Sequence, residues 1–228
     1  MSAAEVQKQA VGEAAAELVE SGMRVGLGSG STAAFFVRAL ASRRLDIRCV
    51  ATSEATAHLA ASLGLRLFDL DEVERLDLTV DGADEVGPEL ALIKGGGGAL
   101  LREKLVWEAS ARCVVIADHG KMSDVLGRYP LPVEIIGFGA RHTQFRLKAA
   151  LAELELSATP ELRTRGGAPV RTDTGNVIVD IPCRTIANPE RLAAKIKGIT
   201  GVVEHGLFLG LAKLALVGAD RGVTRLTA

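Results

Sequence analysis

Three runs of the sequence gather groups able to bind an anion, move a proton or hold a developing charge. The first is Gly28-Ser29-Gly30-Ser31-Thr32-Ala33. Its glycines let the backbone approach a ligand closely, its hydroxyls are donors, and a helix starting there would offer free N–H groups and a positive dipole end. The same residues can equally form a tight strand-to-helix turn with Ser31 as the helix N-cap. The second is Asp81-Gly82-Ala83-Asp84-Glu85, directly after Leu78-Thr79-Val80. Two carboxylates three residues apart at a strand end can act as acid, base or acceptors for sugar hydroxyls, or can bind a hard cation; they can also be solvated acids of an Asx-type turn. A metal would want further ligands, and His58, His119, His142 and His205 form no ligand spacing.

The third run, Lys94-Gly95-Gly96-Gly97-Gly98-Ala99-Leu100-Leu101-Arg102-Glu103-Lys104, carries the strongest signal. Four consecutive glycines lose much backbone entropy on folding, so a passive surface loop explains them poorly. Lys94 can neutralise an oxyanion, and Glu103, about one helical turn past the glycines, can point back at the same pocket. Their plainer roles are a solvated strand-end charge and a surface acid paired with a lysine. Asp118-His119-Gly120-Lys121 supplies a second lysine for a phosphate, or a solvated loop lysine, and Trp107 sits among apolar neighbours as expected of a packing residue.

All these runs fall where a strand should give way to a loop or helix, the edge at which open α/β sheets bind ligands. Apolar spacing predicts an opening helix up to Gly22, a strand over 23–27, a helix over 33–45, a strand over 47–51 and a helix over 54–63. Strands over 65–68 and 76–80, a helix over 99–110 and a strand over 112–117 follow, an alternation that implies a parallel sheet with helices on both faces. Tyr129-Pro130-Leu131-Pro132 marks a domain boundary. Beyond it, strands near 133–136, 170 and 176–181, helices near 143–154 and 189–197, and the hairpin signal Asp173-Thr174-Gly175-Asn176 predict an antiparallel α+β module. The strand-like segments from Leu207 onward are expected to return to the first domain. The boundaries are therefore 1–130 plus about 207–228 for the parallel-sheet domain, and 131–206 for the smaller one.

Composition narrows the function. Hydrophobic residues make up 48% of the 228, enough for a core without staples, and 27 Lys+Arg against 28 Asp+Glu leave a formal charge of -1. No global charge attracts nucleic acid or an anionic membrane, so an anionic ligand needs a local site. Cys49, Cys113 and Cys183 fit neither a disulfide framework nor a zinc ribbon, which favours a reducing compartment. The first twenty residues carry too many charges for a signal peptide, and Leu207–Ala219 is too short to span a membrane. A soluble cytoplasmic protein is expected, with no nucleic-acid or membrane partner.

The sequence closely resembles the type A ribose-5-phosphate isomerases. The resemblance runs almost end to end, through the Gly28–Thr32 loop, Thr79–Glu85, Lys94–Lys104, Pro130-Leu131-Pro132-Val133-Glu134 and Thr172-Asp173-Thr174-Gly175-Asn176. Ser29 stands where the family often has threonine, and the hydroxyl is kept. The resemblance implies an α/β fold with a Rossmann-like parallel-sheet domain and a smaller ferredoxin-like α+β domain, assembled as a homodimer or homotetramer. It implies cofactor-free, metal-free interconversion of D-ribose 5-phosphate and D-ribulose 5-phosphate in the pentose phosphate pathway. Carried onto this chain, Glu103 is the base between C2 and C1, Asp81 and Asp84 handle sugar hydroxyls and ring opening, and Lys94 stabilises the enediolate. Ser29, Gly30, Ser31, Thr32, Gly82, Ala83 and Lys121 contact substrate, Gly95, Gly96 and Gly97 lend N–H groups, and Lys8 is a further phosphate contact. The residues alone agree, since proton transfer beside a carbonyl needs a carboxylate, a cation or donors for the oxyanion, and a separate phosphate grip.

Two rival readings explain less. A nicotinamide dehydrogenase rests on Gly28-x-Gly30-x-x-Ala33 with Glu54 as the ribose acid, and leaves the four glycines and paired aspartates without a role. A sugar-phosphate-sensing transcription regulator would need a DNA-binding module, for which no room is expected ahead of the first domain.

Overall fold

The structure is a computed structural model that describes residues 2–220 and 222–228. The chain forms two compact units: Met1–Ala83, Arg102–Met122 and Gly210–Ala228 make the first, Asp84–Leu101 and Ser123–Leu209 the second. The sequence places its boundary near Pro130. In the structure Asp84–Leu101 goes with the second unit, because strand Leu92–Ile93 pairs antiparallel with both Glu85–Val86 and Leu207–Phe208.

In the first unit a six-stranded sheet runs in the order Gly222–Thr227, Ala212–Ala219, Cys113–Asp118, Leu78–Gly82, Arg24–Leu27, Arg48–Ala51. Every neighbouring pair is parallel except the Ala212–Ala219/Gly222–Thr227 hairpin. Leu78–Gly82 and Cys113–Asp118 are buried throughout, as strands covered on both faces must be. The chain leaves Arg24–Leu27 toward Arg48–Ala51 on one side and later returns to place Leu78–Gly82 on the other. That reversal of direction is the switch point at which such sheets open a crevice.

A Ser2/Glu5 capping box starts helix Ala3–Ala16, which ends short of the expected Gly22. The apolar pattern runs on because Val19 reaches the core from a turn in which Leu18 and Val19 donate back to Ala15 and Ala16. Helix Gly30–Ser42 begins earlier than expected, and 65–68 contributes only a single bridge, Leu67 to Cys49, where a strand was expected. Val11, Leu27, Phe36, Leu40, Val80 and Ile116 are among the core residues.

The second unit holds a four-stranded antiparallel sheet, ordered Val202–His205, Leu131–Ile135, Val177–Ile181, Glu161–Leu162. Alternate residues Leu131, Val133, Ile135, Val177, Val179 and Ile181 pack into one core with Leu147 and Leu151 of helix Ala140–Glu153 and Leu192 and Ile196 of helix Pro189–Lys197. Pro132, Glu134, Ile178 and Asp180 therefore belong to the opposite face. The expected turn lies at 172–176, closed by Gly175 N–H to Thr172 O at 2.9 Å with Gly175 at φ +81°. No helix among the described residues is long and apolar enough to cross a membrane.

Candidate active site

In the first unit the site residues gather at the carboxyl ends of adjacent parallel strands. Gly28 follows Arg24–Leu27 and packs so tightly on the next strand that a Cβ there would lie 2.2 Å from Asp81 Oδ1 and 2.5 Å from Asp81 Cα. Asp81 is fully buried. Its Oδ1 accepts from Ser29 N–H at 2.9 Å and Gly82 N–H at 2.7 Å, and its Oδ2 accepts from the Trp107 indole at 3.3 Å. These donors fix the carboxylate in orientation.

Ser29, not Ser31, occupies the N-cap position of helix Gly30–Ser42, and its hydroxyl makes no cap bond. It bonds instead to the hydroxyls of Thr52 at 2.7 Å and Ser53 at 2.8 Å, and with its N–H on Asp81 it fixes the loop from within. Ser31 is exposed on the first turn, and Lys8 Nζ donates to its hydroxyl at 3.1 Å. A cation, a hydroxyl and a helix start thus meet at one point, the composition of a phosphate grip. Gly30 and Thr32 flank Ser31 on that turn. Lys121, half-buried, lies on the turn His119–Lys121 after strand Cys113–Asp118, where the Asp118 carboxylate accepts from Gly120 N–H at 3.1 Å. Glu103 is buried in the first turn of helix Leu100–Glu108.

In the second unit the glycine run folds into a turn closed by Gly98 N–H to Gly95 O at 3.0 Å, with Gly95 at φ +108° and Gly98 at φ +87°. Gly96 N–H donates to Asp84 Oδ2 at 2.7 Å. A Cβ on Gly96 would lie 2.4 Å from Tyr129 Oη and 2.6 Å from Asp84 Oδ1. Lys94 is buried, its ammonium 5.5 Å from the Phe208 ring centroid in a cation–π contact. Glu85, the last acid of its motif, is fully buried and accepts from the N–H groups of Gly127 at 3.1 Å and Tyr129 at 2.9 Å. It fixes the backbone that carries Tyr129.

The sequence-predicted residues thus form two groups. Ser29, Asp81 and Gly82 are bonded together, and Lys8 with Ser31, in the first unit; Asp84 is bonded to the Gly95–Gly97 turn in the second. Ala83 and Asp84 are consecutive residues that end one unit and begin the next. Sequence reasoning missed the indole of Trp107 as a donor to Asp81, and it missed Tyr129 and Arg163 altogether. Nothing in local spacing marks them, since each acts across tens of residues. Burial pushes the Cys49 thiol up to about 12, and burial with the Asp81 charge does the same to Cys113, so neither is a nucleophile at neutral pH. Among the described residues no three His, Cys, Asp or Glu side chains gather as a metal centre requires.

The family model described as ribose 5-phosphate isomerase A (phosphoriboisomerase A) matches residues 48–222. Ribose-5-phosphate isomerase A of Caulobacter sp. (strain K31) is 62% identical over 98% of both chains. The crystal structure of ribose 5 phosphate isomerase A from Neisseria gonorrhoeae superposes with a TM-score of 0.90 at 36% identity, covering 98% of this chain and 96% of that one. A D-ribose-5-phosphate isomerase solved in complex with phospho-erythronic acid gives 0.91 at 35% identity over the whole of both chains.

Proposed function

The chain belongs to the ribose 5-phosphate isomerase A family and is an isomerase, and from that premise we propose that it interconverts D-ribose 5-phosphate and D-ribulose 5-phosphate through an enediolate. Glu103 takes the proton from C2 of the open-chain aldose and returns it to C1, while the O2 hydroxyl proton passes to O1, so that C2 becomes the carbonyl and C1 the hydroxymethyl group. Lys94 and the N–H groups of Gly95 and Gly97 hold the oxygen on which charge develops, while the Gly96 N–H is kept by Asp84. Asp81 and Asp84 orient the sugar hydroxyls and assist ring opening, with Gly82 and Ala83 lining the same stretch. Lys8, Ser31, Thr32 and Lys121, with the Gly30 N–H, hold the phosphate, while Ser29, its N–H given to Asp81 and its hydroxyl bonded to Thr52 and Ser53, fixes the loop that carries them. Neither metal nor redox cofactor enters, because a carboxylate, a cation and fixed donors supply every proton and charge the reaction moves.

What supports this reading most directly is the carboxyl edge of the first sheet. There a cation-flanked helix start suited to a phosphate stands on the same edge as a fully buried carboxylate fixed by three donors. A relative that binds phospho-erythronic acid, a phosphorylated sugar acid, fits the same chemistry. The reading carries with it a homodimer or homotetramer in the cytoplasm, serving the non-oxidative pentose phosphate branch. The test is ketose formation by the purified protein from ribose 5-phosphate and from free ribose. Rapid conversion of the phosphorylated sugar alone is expected, because phosphate contacts supply binding energy remote from the reacting carbons. Equal efficiency on the two sugars, or no conversion of either, overturns it.

A further inference from the structure

The Gly95–Gly98 turn, closed by its own Gly98 N–H to Gly95 O bond, is also held from outside. Arg163 reaches it from just beyond strand Glu161–Leu162 and donates through Nη1 to the carbonyls of Gly95 at 2.9 Å and Gly96 at 3.0 Å. Its other two nitrogens grip Asp180 of strand Val177–Ile181, Nε to Oδ2 at 2.8 Å and Nη2 to Oδ1 at 2.5 Å. The Arg163 backbone is fixed as well, its N–H donating to Ile178 O at 2.8 Å and its carbonyl accepting from Val170 N–H at 2.9 Å. Both side chains of the pair are largely buried, at 15% and 26% exposure, so the contact is shielded from the solvent screening that weakens surface pairs.

The direction of those carbonyls decides the direction of the donors. No peptide among the described residues is cis, and in a trans peptide the N–H points opposite to the C=O it adjoins. With the Gly95 and Gly96 carbonyls turned to Arg163, the N–H groups of Gly96 and Gly97 are turned away from it. The first meets Asp84 at 2.7 Å. The second belongs to an exposed glycine with open space where a Cβ would stand. We propose that Arg163, held by Asp180, is a positioning residue that aims the Gly96 and Gly97 N–H groups, the one at Asp84 and the other at the substrate oxygen that becomes the oxyanion. This deepens the isomerase reading and rests on it.

Steady-state kinetics and one spectroscopic titration test it. Arg163→Met frees the Gly96 carbonyl and leaves that of Gly95 to the Gly98 N–H, and kcat is expected to fall about 10²-fold with KM changed less than about threefold, as when an oxyanion donor is lost. Arg163→Lys keeps the charge but not the fork, and about a tenfold fall is expected; it decides the question if the methionine variant does not fold. Tyr129, the only tyrosine, reports the same cluster. Burial first, then the Asp84 charge, hold its phenol above the usual range; Arg163 opposes them and Asp180 adds to them. The tyrosinate absorbance of Arg163→Met should therefore rise at higher pH than in the wild type, and that of Asp180→Asn at lower pH. Unchanged kcat in both Arg163 variants, a loss carried by KM alone, or an unmoved tyrosinate titration overturns the proposal. Wild-type protein that converts no ribose 5-phosphate overturns the isomerase reading instead, while the tyrosinate shift still decides whether Arg163 holds the turn.

Discussion

The two units hold their reactive groups by different means. In the first, position comes from the main chain: Asp81 ends a buried parallel strand, Ser29 begins a helix, and the backbone N–H groups of Ser29 and Gly82 bond the carboxylate. In the second, a turn of four glycines is held from outside by Asp84 and by Arg163, itself gripped by Asp180. The first kind of site is as stiff as its sheet. The second is as stiff as a few side-chain bonds, so there the geometry can be altered while the fold survives.

The largest expected effect falls on neither scaffold but on Glu103, the base of the proposed mechanism. Glu103→Gln keeps size and most hydrogen bonding yet cannot take the proton, so kcat should fall by about two to four orders of magnitude. Exchange of the C2 proton with deuterated solvent, followed on open-chain substrate, should be lost in Glu103→Gln and partly kept in Asp81→Asn. The reverse pattern would make Asp81 the base.

Two glycine substitutions bear on the comparison itself. Alanine at 28 meets the Cα of Asp81 as well as its carboxylate, and a buried strand cannot retreat, so about 1–3 kcal/mol of stability should be lost in chemical denaturation. Alanine at 96 meets only the ends of two side chains, Tyr129 Oη and Asp84 Oδ1. Activity should fall there by at least about tenfold with little change in stability, because Asp84 is pushed off its donor. Adding Tyr129→Phe removes the nearer of the two clashing atoms and should restore part of that activity, a non-additive gain expected of touching residues. Equal stability losses at 28 and 96 would erase the distinction between the units.

Smaller effects follow. Lys121→Ala should raise KM more than it lowers kcat if its phosphate contact is equal in ground and transition states. Trp107→Phe removes one of three donors to Asp81 and should lower kcat a few-fold, in line with about 1 kcal/mol for one hydrogen bond. Exhaustive chelation should change nothing, and activity lost to EDTA and restored by one divalent ion would show that Asp81 and Asp84 had been misread.

The same division explains what the sequence could reveal. The parallel alternation, the strand-end placement of Gly28 and Asp81, helix Pro189–Lys197 and the turn at 172–176 follow from local pattern, which is how strands, caps and turns are encoded. Element ends were less legible. Val19 continues the apolar rhythm from a turn, and 65–68 has a strand's composition without a partner beyond one bridge. Arg163 and Tyr129 were invisible because their partners, at 95, 96, 84 and 85, lie far along the chain and leave no periodic trace. The glycine run announced more than a passive loop, and the structure supplied Asp84, Tyr129 and Arg163 as what packs against it.

The sheet order also constrains how the molecule is made. Strand Cys113–Asp118 is flanked on one side by Leu78–Gly82 and on the other by Ala212–Ala219, which the ribosome delivers only after all of Ser123–Leu209. At about 5–20 residues per second that interval lasts several seconds, during which an apolar strand carries an unpaired edge. The second unit, complete in sequence by Leu209, can pack its own core meanwhile. The nascent chain is thus most exposed to mispairing in the window before its last hairpin emerges, and a chaperone that shields strand edges would have its greatest effect there.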